Sequence, residues 1–300
     1  MIRRESPWGP IHVIDAHVHF FSHRFFSALA SQKPDLTLEG AQEILDWEFP
    51  QAEPESLGER WVAELNAHSV QAAAMIASIP GDEGSVIAAA AKHPERLLPY
   101  AMVNPKTLQL DNLANIRAAC LFPAMHLYSI QDECVRPVFE WAQREKRVVF
   151  IHCGVLSVGV RKKLGLPSPF DLKFSNPIDL HAVALRYPDV PIVIPHFGAG
   201  YFREALMVAS LCSNVHFDTS SSNEWVNLQV PPINLRGAFE QALKVLGPQR
   251  LLFGTDSSFF PRGWQHPIFD TQATALYELG ATGTDAQAIF GDNLLRILAR

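Results

Sequence analysis

The sequence predicts a (β/α)8 barrel, and three observations carry that expectation. Eight short, almost continuously apolar runs recur along the 300 residues, at 11–19, 70–78, 96–104, 120–128, 147–154, 190–198, 214–220 and 250–256. Runs of this kind suit strands buried on both faces of a parallel sheet, because a half-exposed strand would alternate apolar and polar residues. Segments with helical spacing separate the runs, and eight βα units in one chain of this length fit a barrel, which uses about 250 residues. An open doubly wound sheet should show a glycine-rich first turn, and the turn after the first run has no glycine.

In chain order, "IHVIDAHVH" opens the barrel and "SLGERWVAELNAHS" is the helix that returns to "VQAAAMIAS". The segments "EGSVIAAAAKHPE", "LQLDNLANIRAA", "VRPVFEWAQREK", "PIDLHAVALRYP", "YFREALMVASLC" and "NLRGAFEQALKVLG" have the same helical spacing. Pro94, Pro188 and Pro248 stop three helices and feed the next run. Three connections are too long for simple turns: 20–55 after strand one, 155–176 after strand five and 221–233 after strand seven. Each follows a strand, so each belongs to the C-terminal face of a barrel, where active sites are built. The expected organisation is one barrel domain over 1–300, with these insertions as walls and lids of a pocket.

With 48% hydrophobic and 19% charged residues, the composition is that of a soluble globular chain. A formal charge of −6 with the signs interspersed gives no electrostatic case for nucleic acid or an anionic membrane. Cys120, Cys134, Cys153 and Cys212 form no CxxC pair, which favours reduced thiols over a disulfide framework. "MIRRESPWGP" lacks the apolar segment of a signal peptide, and no stretch has the apolar length of a membrane span. A cytoplasmic location is expected, with a small-molecule substrate and, by default, a homodimer.

The residues that carry chemistry stand at strand ends. Strand one contributes His17 and His19, strand five His152, strand six His196 and strand eight Asp256. Residues i and i+2 of a strand share a face, so His17 and His19 can converge on one ion while Val18 points away. Neutral imidazoles with one carboxylate are the ligand types of a catalytic zinc that keeps a position open for water.

"DAHVHF", "FIHCG", "IPHFGAG", "LLFGTDSSFFP" and the closing "IFGDNLLRIL" together resemble the amidohydrolase superfamily. The branch they resemble is the amidohydrolase-related group that includes aminocarboxymuconate-semialdehyde decarboxylase. The resemblance implies His17, His19, His152 and Asp256 as metal ligands and His196 as the histidine beside the water. It also implies a single divalent ion, zinc by the donor set, because no lysine lies between Lys106 and Lys146 to bridge a pair of metals from strand four. A metal lowers the pKa of a coordinated water toward neutrality, and Asp256 would act as general base and then general acid. His196 would orient the nucleophile or stabilise charge on the attacked oxygen.

Two reactions are compatible with this equipment. One is hydrolysis of a small ester, lactone or amide, including organic or aromatic acid derivatives. The other is non-oxidative decarboxylation. Decarboxylases of the group often carry a Pro-Trp-type segment after the strand-five histidine, where this chain has Cys153-Gly154, so hydrolysis leads. Arg161, Lys162 and Lys163 in the second insertion read first as a solvated charged face, with one of them able to meet a substrate carboxylate. Phe259, Phe260, Arg262 and Trp264 after strand eight suit a planar organic acid at the mouth, and packing of the loop is an equal reading for the two phenylalanines. Asp15, His216, Asp218 and Thr219 read as structural, His12 as a residue of the barrel bottom, and His126 as a strand-four residue near the mouth.

Overall fold

The computed structural model describes residues 2–221 and 224–299, so positions 222 and 223 of the third insertion lie outside the described residues. Eight parallel strands follow one another in chain order around a single sheet. They are β1 (Ile14–Phe20), β2 (Ala72–Ala77), β3 (Leu97–Val103), β4 (Ala118–Leu121), β5 (Val148–Ile151), β6 (Ile192–Ile194), β7 (Val215–Asp218) and β8 (Leu251–Leu252). Val18 pairs with Ser257 across the seam between the last and first strands. Three backbone bonds complete that seam: Ala16 N to Phe253 O at 2.8 Å, His19 N to Ser257 O at 2.7 Å and Asp256 N to His17 O at 2.9 Å. The fold is a (β/α)8 barrel.

Outside the sheet lie Pro54–Ala67, Glu83–Lys92, Arg136–Glu145, Leu180–Arg186, Phe202–Leu211, Leu235–Leu246 and His266–Glu278. Between β3 and β4 the expected helix is only a 3-10 turn, Leu110–Leu113. Asp111, Asn112 and Asn115 crowd this segment, and such side chains compete with helical backbone bonds. The run at 120–128 also divides. Strand β4 ends at Leu121, and Pro123 starts a helical turn that carries His126. Proline offers no N–H to a ladder and suits the first position of a helix, so His126 is not a strand residue. Among the described residues no helix is long and apolar enough to cross a membrane.

Strand alternation divides the apolar residues into two cores. Ile14, Ala16, Ala72, Ala74, Ile76 and Tyr100 fill the barrel. Val13, Val18, Phe20, Ala73, Met75 and Ala77 face the helices. The first strand changes phase partway along. Asp15 pairs with Ala73 and Val18 with Met75, which leaves Ala16 and His17 opposite Ala74 alone. This bulge inserts one residue into the alternation. Ile14 and Ala16 point inward before it, whereas Val18 and Phe20 point outward after it, and His17 and His19 thereby enter the barrel mouth.

The insertions form a roof with its own apolar core. Helices His23–Ala30 and Leu38–Leu45 from the first insertion bury Phe25, Phe26, Leu29, Leu45 and Trp47 against Val160, Leu164 and Leu166 of the second. Ser22 caps the first of these helices by accepting from Phe25 N at 3.0 Å.

Gly154, just beyond β5, has φ +78, and a Cβ there would collide with the carbonyls of Gly198 and Ala199. Gly154→Ala is expected to cost about 2–4 kcal/mol, the left-handed penalty plus overpacking, measured by urea unfolding.

Candidate metal centre and catalytic cavity

The C-terminal mouth of the barrel opens into a cavity of about 620 Å³. His17, His19, His152, His196 and Asp256 all line it, as do residues from each of the three insertions. At its floor His17 Nε2 and His19 Nε2 are 3.3 Å apart. Asp256 Oδ1 lies 3.6 Å from the first nitrogen and 3.3 Å from the second. Four-coordinate zinc with bonds of about 2.0–2.1 Å separates its ligand atoms by about 3.3–3.4 Å, so this triangle has the size of a tetrahedral face. Among the described residues, His17, His19 and Asp256 are a group whose ligand atoms lie within 4.8 Å of one another.

Neighbouring side chains turn each imidazole toward that face. Asp218 Oδ2 accepts from His17 Nδ1 at 2.7 Å, which leaves the Nε2 lone pair free for an ion. Ser78 Oγ donates to Ile76 O at 2.9 Å and so accepts from His19 Nδ1 at 2.7 Å, with the same result. Carboxylates and hydroxyls in this position fix the tautomer and raise ligand basicity. His196 Nδ1 is held by Ser220, 2.9 Å from its hydroxyl and 3.3 Å from its carbonyl, so Nε2 is left for the cavity.

His152 stands beside this group rather than within it. Its ring centroid is 5.4 Å from that of His196 and 5.5 Å from that of Phe122. Its buried Nδ1 has no hydrogen-bond partner. A buried nitrogen without a partner among the described residues, close to a set of metal donors, fits a site built for a further bound group.

Burial acts against charge on every imidazole, and nearby carboxylates decide the outcome. Burial pulls His17 down, but the charge and hydrogen bond of Asp218, helped by Asp256, hold it above the ordinary value. His19 and His196 stay below it, since burial outweighs Asp256. His152 falls well below it through burial and the adjacent histidines. Burial pushes Asp256 up, yet the hydrogen bond from His19 and the surrounding imidazoles bring it well under the ordinary carboxylate range. Neutral imidazoles and an ionised carboxylate are the protonation states that bind a metal, which His19, His152, His196 and Asp256 favour, whereas His17 would release a proton to an incoming ion.

Backbone conformation contributes as well. His196, Phe197 and Asp256 all have positive φ, at 54°, 53° and 59°. This is uncommon for residues other than glycine and turns up often at functional sites. The carbonyl of Asp256 accepts from Gln265 Nε2 at 3.2 Å and Arg262 Nη2 at 3.3 Å, which anchors the turn.

The structure revises several sequence readings. Asp218 is no bystander, since it is the partner of His17. Ser78 and Ser220 were not singled out, although both lie at strand ends and the rule that identified the histidines applies to them equally. Trp264 and Phe260 do not surround the mouth. The indole N–H of Trp264 donates to Asp15 Oδ2 at 2.8 Å beneath the site, and Phe260 packs on Trp61 with centroids 4.7 Å apart. Trp47, whose ring stacks 3.6 Å from Phe259, supplies the aromatic wall instead. His12 belongs to the barrel bottom as expected, paired with Asp292 at 2.9 Å.

Comparison with known proteins adds a family and a fold. The family model described as amidohydrolase matches residues 14–300. Protein fluG of Emericella nidulans is 33% identical over 87 residues, a stretch that covers 29% of this chain and 10% of that protein. The chain thus matches about a tenth of the length of this curated relative. A solved structure of a probable 2-pyrone-4,6-dicarboxylic acid hydrolase from Acinetobacter baumannii superposes with TM-score 0.63 at 15% identity, covering 97% of this chain and all of that one. The 5-carboxyvanillate decarboxylase of Novosphingobium aromaticivorans, solved with manganese bound, gives TM-score 0.66 at 13% identity over the full length of both chains. At these identities the likeness is one of fold.

Asp218→Asn is expected to weaken zinc binding about 10–100-fold, because an amide cannot accept from both His17 Nδ1 and Ser220 N as the carboxylate does. Ser78→Ala should cost less, since it removes only a neutral acceptor. Competition titration with a chromophoric chelator measures both.

Proposed function

The chain belongs to the amidohydrolase family, and on that premise we propose that it is a metal-dependent hydrolase acting with water on a small ester, lactone or amide. The observation that carries this reading is the 3.3–3.6 Å triangle of His17, His19 and Asp256 at the floor of a roofed cavity. His17, His19 and Asp256 would hold one divalent ion, zinc by the chemistry of the donors, with His152 as the further ligand. When bound, the ion supplies positive charge that acidifies water and polarises a substrate oxygen.

The chain's own residues account for the remaining steps. Asp256, its side chain about 33% exposed to the cavity, accepts the proton of the attacking water and returns it to the leaving group. His196, with Nδ1 tied to Ser220, directs Nε2 at the water or at the oxygen that gains charge.

A specific feature favours hydrolysis over loss of CO2. The residue that follows Cys153 can only be glycine, for the left-handed backbone of Gly154 leaves no room for a side chain beside Gly198 and Ala199. Cys153 itself is buried in the core between sheet and helices. The bulky side chain that decarboxylases of the resembled group often place after the strand-five histidine therefore has no counterpart here.

Zinc-loaded protein should hydrolyse members of a panel of aryl esters and lactones such as phenyl acetate and dihydrocoumarin, and prolonged dialysis against chelator should abolish the activity. Asp256→Asn should lower kcat by at least about 100-fold. CO2 released in step with turnover of ring acids, without ester or lactone cleavage, would replace the hydrolase reading with the lyase one.

A further inference from the structure

The geometry points to Arg262 and Lys163 as an anion-receiving subsite, held in place by the Trp47–Phe259 ring pair, that recognises a carboxylate on a ring-bearing substrate. This inference rests on the reading of the cavity as the catalytic site.

Several cations flank the mouth in sequence, and the structure separates them. Arg161 is occupied with its own loop, donating from Nε to Pro167 O at 2.9 Å and from Nη2 to the same carbonyl. Lys162 is not among the lining residues, whereas Lys163 and Arg262 both are. Neither of these two meets a carboxylate within ion-pair distance among the described residues. Each is instead placed over an aromatic ring, Lys163 Nζ 5.4 Å from the centroid of Trp47 and Arg262 Cζ 4.4 Å from that of Phe259. The two rings are stacked 3.6 Å apart and within 9° of parallel. The face of a π system attracts a cation without cancelling its charge. Two cations without an ion-pair partner among the described residues are thus held at the entrance to a cavity whose floor carries the donor set for a divalent ion.

Arg262 is the better placed of the two. It uses Nη2 on Ser258 Oγ at 2.7 Å and on the carbonyl of Asp256 at 3.3 Å, which fixes the guanidinium beside the catalytic carboxylate. Among the described residues no acceptor takes its Nε or Nη1 hydrogens. A guanidinium anchored by one corner, with donors to spare, matches a carboxylate. The charge balance agrees. The lining has two cationic side chains and two acidic ones, Asp256 and Glu224, so a divalent ion leaves the wall net positive. The apolar surface of Phe21, Met102, Phe122 and Met125 offers contact for the uncharged body of such a molecule.

Isophthalate and its neutral, non-hydrolysable counterpart 1,3-diacetylbenzene test the subsite by calorimetry on the zinc-loaded protein. The wild type should bind the diacid at least about tenfold more tightly. Arg262→Gln should remove most of that preference, Arg262→Lys should restore part of it, and Lys163→Met should reduce it about threefold. Equal binding of the two compounds by the wild type, or a preference that survives in Arg262→Gln because the metal alone reads the charge, overturns the inference. If Arg262→Gln does not fold, Lys163→Met decides, and an unchanged preference there counts against the subsite. No turnover is involved, so an Arg262-dependent preference in a protein that cleaves no ester or lactone would defeat only the hydrolase reading.

Discussion

The donor atoms of this site come from opposite ends of the chain, and their spacing depends on how the first strand meets the last. Asp15 sets that junction. Its carboxylate accepts from His17 N at 2.9 Å, from Thr255 N at 3.1 Å, from the Thr255 hydroxyl and from the Trp264 indole. One buried side chain thereby grips the peptide at His17 and the peptide just before Asp256. Complete burial pushes Asp15 up to about 6 even against these bonds, which shows how much desolvation such a cross-link has to offset. A fully satisfied buried network of this kind rigidifies its surroundings, and here the surroundings are the HxH pair and Asp256.

Around that junction the site repeats one device. A carboxylate or hydroxyl from another strand end takes the Nδ1 hydrogen of each HxH histidine, Asp218 for His17 and Ser78 for His19, while Ser220 sits between His17 and His196. The tautomers are set before any ion arrives, so binding one requires little rearrangement of the rings. The same preorganisation serves hydrolysis and decarboxylation alike. The choice between these reactions therefore lies in the roof and in the residues just above the histidines.

Much of this was legible in the sequence, for identifiable reasons. Continuous apolar runs separated by helical spacing specify a parallel barrel, and chemistry-bearing residues at run ends specify a mouth. That logic points to His17, His19, His152, His196 and Asp256, and all five line one cavity. It could not show the bulge at Ala16–His17. Simple alternation from Ile14 would have turned both HxH imidazoles outward, and the register against β2 is a pairing property that no single strand reveals. Asp218 and Trp264 were misread for a related reason. The partner of each lies more than 200 residues away, His17 for Asp218 and Asp15 for Trp264, and local pattern has no access to such distances.

The roof has an interior separate from both cores of the barrel, formed where Phe25, Phe26, Leu45 and Trp47 meet Val160, Leu164 and Leu166. Architecture of this kind decouples inheritance of the reaction from inheritance of the substrate. Mutations can accumulate in the canopy and reshape what enters, while the scaffold below keeps its own core and its donor set. A lineage with this arrangement can diversify its chemistry by exchanging two loops, and a designer could transplant the pair as a unit.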